Sequence, residues 1–386
     1  MKTELVATCL FGLEHLLGEE IDALGYNRIS TMDGRVTFFG DEEAIAVSNI
    51  FLRYAERVYI KLGEFPAESF EELFEGTKSL EWENYIGATD SFPVKGHAIQ
   101  STLFSVPDCQ AICKKAIVNR LSEKYGIKWF EETGVKYQVE FFIFRNRATL
   151  MIDTSGIPLH KRGYRPVSNI APIRETLAAA IAATSRPREN VVTWDPMCGS
   201  GTIAIETAML MRNMAPGVNR SFASQNFPFI PRELWDRARE EAHDLEVHGG
   251  FTVYASDIDK GCVELTRDNA RRAGVFDTVR SFVADARSIK SNGERATIVT
   301  NPPYGERIGT RKEAQELYRD IGEKFRSLAP WQVYVITSCK DFEKFYGRRA
   351  DKIRKLYNGM IECYLYQYFK NNIGKNNIEK TREKTK

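Results

Sequence analysis

The sequence predicts an α/β protein: a C-terminal parallel sheet with helices on both faces, preceded by two smaller α+β modules. Three observations carry this. From about residue 156 onward, short apolar runs alternate with helical stretches, the pattern of a parallel sheet wrapped by helices. Residues 1–65 read β-α-β-β-α-β, a ferredoxin-like unit. Residues 66–155 follow a different rhythm and turn from acidic to basic near residue 100.

The elements follow in order. Residues 5–10 form an apolar strand, and Leu13, Leu16, Leu17, Ile21 and Leu24 then recur at helical spacing up to Gly25. Strand-like runs at 28–31 and 35–40 flank Met32-Asp33-Gly34 as a hairpin. Residues 44–52 are helical and 57–62 return to β character. In the second module Phe70, Leu73 and Phe74 mark a short helix. Asp108 is placed to cap a longer one carrying Cys109, Ile112, Cys113, Ala116, Ile117 and Leu121. Runs at 137–144 and 148–152 enclose Arg145-Asn146-Arg147 as a two-strand hairpin. The third region, 156–370, opens with a helix from 174 to 183 after Ala171-Pro172. Strands are expected at 191–194, 251–255, 279–284, 296–300 and 332–337. The tail, 371–386, is polar and basic, a composition that favours disorder.

The 386 residues, 43% hydrophobic and 27% charged, make a globular chain of two or three domains at roughly 150 residues each. The formal charge of +2 hides an asymmetry. Residues 61–95 hold three basic and eight acidic side chains, whereas residues 100–165 hold eleven and six. That contrast implies an electropositive face beside an acidic one. No apolar run of ~18 residues spans a membrane, and the first residues lack signal-peptide character. Seven scattered cysteines fit a reducing cytoplasm rather than a disulfide framework.

Chemistry concentrates where strands end. Asp195-Pro196-Met197-Cys198-Gly199-Ser200-Gly201-Thr202 joins a strand to a helix, and its glycines let backbone approach a ligand. It is neither a complete G-x-G-x-x-G nor a P-loop, since no lysine follows the second glycine. The next strand ends at Asp257-Ile258, where an acid can accept hydrogen bonds from both hydroxyls of a ribose. The third ends at Asp285, on the same rim. One strand-end Asp is commonly a helix cap; three in successive units point to a site. Asn301-Pro302-Pro303-Tyr304 is sharper still. Prolines fix the backbone so that a side-chain amide and a carbonyl converge on a planar amino group, while the tyrosine offers a face for a base.

These four segments resemble the motifs of class I S-adenosylmethionine-dependent methyltransferases that modify exocyclic amino groups. With Pro172-Ile173-Arg174-Glu175-Thr176 and the two N-terminal modules, the chain up to the tail resembles the THUMP-domain RNA guanine-N2 methyltransferases. That resemblance implies a Rossmann-like class I methyltransferase domain at 156–370, a THUMP RNA-binding module at 66–155 and the ferredoxin-like unit at 1–65. It implies S-adenosyl-L-methionine as cofactor and RNA as partner, 23S rRNA before tRNA, in the cytoplasm. Asp195, Gly199 and Gly201 are then expected along the methionine part of the cofactor, Asp257 on the ribose, Ile258 beside the adenine, and Asp285 on the adenine amino group. Arg174 or Thr176 is expected near the methionine carboxylate. Asn301, Pro302 and Tyr304 form the catalytic set. Lys114, Lys115, Arg120, Arg145 and Arg147 are the candidate phosphate contacts.

One departure stands out: Asp257 lies 62 residues after Asp195, against about 20 in a compact dinucleotide unit. The excess maps to 215–248, read as an insertion beside the cofactor site. No metal is expected; Cys109 and Cys113 are a core stripe on one helix. The segment His160–Arg165 reads as a solvated linker or an RNA contact, Cys198 as a thiol without activation, and His15 as structural. Rival readings are a tRNA guanine-N2 enzyme, a DNA amino-methyltransferase that shares the Asn-Pro-Pro-Tyr logic, and a non-catalytic RNA-binding protein.

Overall fold

The computed structural model describes residues 3–166, 173–291, 293–305 and 309–369. The expected tail and the Ala171-Pro172 helix start lie outside them. The chain forms two compact units, the first from Met1–Cys9, Glu14–Leu159 and Pro216–Asp244, the second from the remainder.

In the first unit the elements run β1 (Thr3–Thr8), α1 (Glu14–Ala23), β2 (Arg28–Met32), β3 (Arg35–Gly40), α2 (Glu42–Phe51), β4 (Arg57–Pro66), α3 (Phe70–Lys78), β5 (Val94–Ile99), α4 (Val106–Tyr125), β6 (Val139–Phe144) and β7 (Arg147–Asp153). The expected hairpin forms on Asp33-Gly34, with Gly34 at φ +75°. Asp41 caps α2 by accepting from the Ala44 N–H at 3.0 Å. β4 runs past its expected end at residue 62 and pairs antiparallel with β7. The ferredoxin-like and THUMP modules therefore share one seven-stranded sheet, ordered β2-β3-β1-β4-β7-β6-β5. α4 begins at Val106 with Ser105 as its N-cap residue, so Asp108 sits inside the first turn and does not cap. Its stripe of Cys109, Cys113, Ala116, Ile117 and Leu121 is fully buried, as patterning required.

The second unit opens with α5 (Glu175–Ser185), β8 (Val192–Asp195) and α6 (Thr202–Met211). The chain then contributes Pro216–Asp244, which includes α7 (Arg232–Asp244), to the first unit. By its contacts this segment belongs to the first unit, and none of residues 215–248, expected beside the cofactor site, is among the residues that line the pocket of the second. Within the segment Trp235 is buried and stacks on Phe222 at 5.3 Å. The second unit resumes with β9 (Val253–Asp257), α8 (Lys260–Arg272), β10 (Val279–Val283), β11 (Ala296–Thr300), α9 (Arg311–Ser327), β12 (Gln332–Thr337), α10 (Phe342–Tyr346), β13 (Lys352–Asn358) and β14 (Ile361–Tyr368). Its sheet is ordered β10-β9-β8-β11-β12-β14-β13. Five strands are parallel, as expected; the β13–β14 hairpin, absent from the sequence reading, adds an antiparallel edge. Two apolar clusters hold the helices to the sheet. Tyr318 and Phe325 of α9 meet Ile298 and Val335 in one, and Ala204 and Ala208 of α6 meet Val253 and Ala255 in the other. Among the described residues no helix is long and apolar enough to cross a membrane.

Candidate active site

β8 lies between β9 and β11, and the strand order reverses there, which opens a crevice at the carboxyl ends of the strands. The predicted residues collect at that edge: Asp195 and Asp257 end β8 and β9, Asp285 follows β10, and Asn301 follows β11. A pocket of about 610 Å³ is lined by Asp195, Gly199, Asp257, Ile258, Asp285, Asn301, Pro302 and Tyr304, with Ile173, Thr202, Arg287, Asn358 and Ile361. That size lies within the ~300–1,000 Å³ usual for small-molecule sites.

The glycine turn is shaped by its neighbours. Gly199 and Gly201 have φ of +53° and +81°, and a Cβ on Gly201 would stand 2.6 Å from Thr266 Cγ2. Only glycine satisfies both constraints. From α8, Thr266 donates to the Gly199 carbonyl at 3.0 Å and Asn269 to the Ser200 carbonyl at 2.9 Å. Asp257 closes the arrangement: Oδ2 accepts from the Gly199 N–H at 2.9 Å and Oδ1 from the Asp259 N–H at 3.0 Å. The acid expected to hold a ribose thus also fixes the turn beside it.

Asp195 is buried and accepts from Thr300 Oγ1 at 2.7 Å and the Met197 N–H at 3.3 Å. Burial pushes its carboxyl up to about 7, those hydrogen bonds oppose the rise, and the charge of Asp257 adds to it. At Asp285 the cause is reversed. Arg287 donates to both its oxygens at 2.6 to 3.0 Å and holds the carboxyl below the usual range. The Cys198 thiol is raised by burial, with Asp195 adding to the effect, consistent with an unactivated sulfur.

Within Asn301-Pro302-Pro303-Tyr304, the Tyr304 hydroxyl donates to Asn301 Oδ1 at 2.6 Å. The Pro303 carbonyl accepts from Tyr318 at 2.8 Å, which anchors the turn to α9. The amide oxygen of Asn301 keeps a second lone pair for an incoming N–H.

Three expected cofactor contacts are placed elsewhere. Thr176 is fully buried inside α5, and neither Arg174 nor Gly201 lines the pocket. Arg174 donates its backbone N–H to Asn358 at 3.2 Å, while Ile173 and Thr202 supply the wall. Gly201 acts through the turn. Within His160–Arg165, Arg162 and Tyr164 are buried while Lys161 stays exposed. Tyr164 donates to buried Glu206 at 3.0 Å, Arg162 stands 3.6 Å from that carboxylate, and Arg165 pairs with Glu175 at 2.9 Å and donates to Thr202 at 2.7 Å. Against burial, which raises the Glu175 carboxyl, the Arg165 guanidinium works to keep it charged. The polar pattern of this segment signalled a network but not its burial.

The basic candidates divide by element, three on α4 and two at the β6–β7 turn. Lys114 pairs with Glu132 at 2.5 Å and lies over the Phe92 ring, Arg120 with Glu83 at 2.5 Å, and Arg147 with Glu64 at 2.7 Å. Lys115 and Arg145 lie over the rings of Phe74 and Phe144. Thr266, Asn269, Thr300, Arg287 and Tyr318 went unnoticed in the sequence. Only the Thr266/Asn269 spacing, two polar side chains on one helix face, hinted at a role.

The pocket offers what a nucleoside bearing a cationic sulfonium needs: backbone that can be approached closely, the carboxylates of Asp257 and Asp195, and the 67% exposed Ile258. Comparison with known proteins agrees. Family models match residues 4–59 (RlmL ferredoxin-like domain), 67–153 (THUMP domain) and 162–367 (RMKL-like, methyltransferase domain). The chain is 43% identical over 371 residues to "Putative RNA methyltransferase YpsC" of Bacillus subtilis (strain 168), covering 95% of this chain and 96% of that one. It is 32% identical to "Ribosomal RNA large subunit methyltransferase K/L" of Psychromonas ingrahamii, covering 92% of this chain and 49% of that one, so it spans about half that relative's length. Among solved structures, SMU.472, titled "a putative methyltransferase complexed with SAH" (S-adenosylhomocysteine), superposes with TM-score 0.90 at 40% identity, covering 96% and 99% of the two chains. A Listeria monocytogenes protein titled "a predicted N6-adenine-specific DNA methylase" superposes with TM-score 0.90 at 44% identity, covering 96% and 97%. Sequence, sheet order and site agree: the chain belongs to the RMKL-like methyltransferase family, class I enzymes that take their methyl group from S-adenosylmethionine.

Proposed function

We propose that this protein methylates the exocyclic N2 of a guanine in RNA, with large-subunit rRNA ahead of tRNA as substrate, and works in the cytoplasm where that RNA is made. The observation that carries the reading is Asn301-Pro302-Pro303-Tyr304 at the end of β11, on the wall of the pocket that accepts the cofactor. Guanine N2 is a weak nucleophile because its lone pair is delocalised into the ring. Asn301 Oδ1 and the Pro302 carbonyl accept its two hydrogens and favour a pyramidal nitrogen. Tyr304 stacks on the base, and its hydroxyl, now on Asn301 Oδ1, shares or yields that oxygen when the amino group arrives. Bound S-adenosylmethionine supplies an electrophilic methyl group on a cationic sulfur. Asp195, Asp257, Ile258 and Asp285 orient the cofactor, and positioning with fixed acceptors supplies most of the rate. A base in a helix must be unstacked to reach this pocket.

The THUMP module and the names of the relatives support RNA as the partner. Within the proposed platform, Lys115 and Arg145 are the foremost phosphate contacts. Lys114, Arg120 and Arg147 would have to trade a carboxylate for a phosphate.

Labelled methyl transfer to total RNA and to DNA, followed by mapping of the modified nucleotide, tests the reading. N2-methylguanine in large-subunit rRNA is the expected product. The same mark in tRNA, label in DNA, or no transfer at all would favour one of the three rival readings. Asn301→Ala should lower the single-turnover rate by about 10²–10³ with cofactor and RNA affinity little changed, in line with loss of one oriented acceptor. An unaltered rate would reduce the segment to a structural turn.

A further inference from the structure

One apolar side chain at the pocket mouth has no part in the fold or in the chemistry above. β13 and β14 are joined by only Gly359 and Met360, between the paired Asn358 and Ile361. Gly359, at φ +67°, provides the left-handed residue that such a tight hairpin needs. Asn358 and Ile361 both line the pocket that contains Asn301 and Tyr304, so the turn stands on its rim. Met360, at the tip, is 98% exposed. Nothing in a two-residue turn calls for methionine, and a fully hydrated thioether chain contributes no burial to stability.

The strands beneath it are cross-linked by side-chain contacts. Lys355 and Lys340 pair with Glu362 at 2.6 and 3.3 Å, and the Tyr364 hydroxyl donates to the same carboxylate. Asn358 is tied to the Arg174 backbone, and the Phe11 ring meets Tyr357 edge-on at 5.9 Å. The hairpin thus holds an apolar side chain in water on the rim of the pocket that contains Asn301 and Tyr304, with Lys355 on β13.

We infer that Met360 is the wedge that enters the base stack where the target nucleotide has turned out. This rests on the proposal that the substrate is a base in RNA. Extrusion of a nucleotide opens an apolar gap between its neighbours, and proteins that unstack a step fill it with Phe, Leu, Ile, Met or Pro. An unbranched, polarizable side chain suits a gap flanked by two aromatic faces. Lys355 and Lys340, both paired with Glu362, would have to trade that carboxylate for a flanking phosphate. The wedge matters when the target guanine is paired and stacked, and adds little when it is already unpaired.

The test uses the full chain with S-adenosylmethionine and two synthetic RNAs that share the mapped target sequence. One places the guanine in a base-paired stem and the other in an unpaired loop. Met360→Ser should slow single-turnover methylation of the stem about tenfold while changing the loop less than about twofold. Met360→Leu should restore the stem rate, and S-adenosylhomocysteine affinity should be the same in all three proteins. With 2-aminopurine beside the target, the fluorescence rise on binding should be lost in the serine variant. Equal slowing of both RNAs, no slowing of either, or failure of leucine to rescue would overturn the wedge. Absence of transfer to either RNA by the wild-type protein is a separate result, and removes the RNA reading on which the wedge rests.

Discussion

Asp195 lies out of water at the end of β8 with its carboxyl raised to about 7, and that value has consequences of opposite sign for folding and for binding. In the unfolded chain an aspartate titrates near ~3.9. The folded protein therefore holds this proton more tightly, and stability from the group is present below ~4 and declines as pH rises through 7. The loss is on the order of a few kcal/mol at ~1.4 kcal/mol per unit. Binding runs the other way. A cationic sulfonium near Asp195 favours the carboxylate, so S-adenosylmethionine should bind more tightly at pH 8 than at pH 6. Asp195→Asn should melt higher than the wild type above pH 7 and bind the cofactor with little pH dependence. Calorimetric titrations across that range decide it, and a wild-type affinity indifferent to pH would separate Asp195 from the cofactor's charge. The residue itself was legible as a strand-end acid. Its burial was not, because Thr300 reaches it only after β11 is set beside β8.

At the scale of elements, the turn between β8 and α6 behaves as one piece with α8. Thr266 and Asn269 hold its carbonyls, Asp257 holds an amide, and Gly201 leaves room for Thr266. Gly201→Ala meets two obstacles, a left-handed backbone costing about 1–2 kcal/mol for a residue with a Cβ and a 2.6 Å approach to Thr266 Cγ2. It should lower the melting temperature and weaken cofactor binding together. Adding Thr266→Ser, which removes the methyl group in the way, should recover part of both losses. If the single variant bound S-adenosylmethionine normally, the turn would not shape the site. Strand–helix alternation made β8 to β12 readable, because each apolar run was bounded by a turn. The β13–β14 hairpin was missed: Tyr364, Tyr366 and Tyr368 alternate as a strand should, but basic and polar residues at 352–358 hid its partner. Asp108 was misjudged because α4 begins two residues earlier, with Pro107 in its first turn.

At the scale of the whole molecule, patterning revealed which faces of the inserted helix are buried but not what they are buried against. α7 has the amphipathic spacing of a packed helix, with Trp235, Ala238 and Ala242 on its inner face, and sequence proximity to Asp257 suggested the cofactor site. Its partners are residues of the first unit, where Arg237 pairs with Glu43 at 3.1 Å; earlier in the same segment Arg220 donates to the Pro158 and Leu159 carbonyls at 3.0 Å. The ends of the excursion lie side by side within the second unit. Asn213 donates to the Leu245 carbonyl at 3.1 Å, the Val247 N–H to the Arg212 carbonyl at 2.8 Å, and Arg212 pairs with Glu246 at 2.5 Å. A segment that leaves and returns at adjacent points can be removed without disturbing what lies between. A fragment of residues 160–369 in which a short Gly/Ser linker replaces Pro216–Asp244 should therefore fold and bind S-adenosylhomocysteine. The same fragment with the segment retained should aggregate, because Phe222, Phe227 and Trp235 would face water. Light scattering and calorimetry on the two fragments separate these outcomes. A soluble, ligand-binding fragment with the segment intact would show that Pro216–Asp244 does not depend on the first unit for its burial.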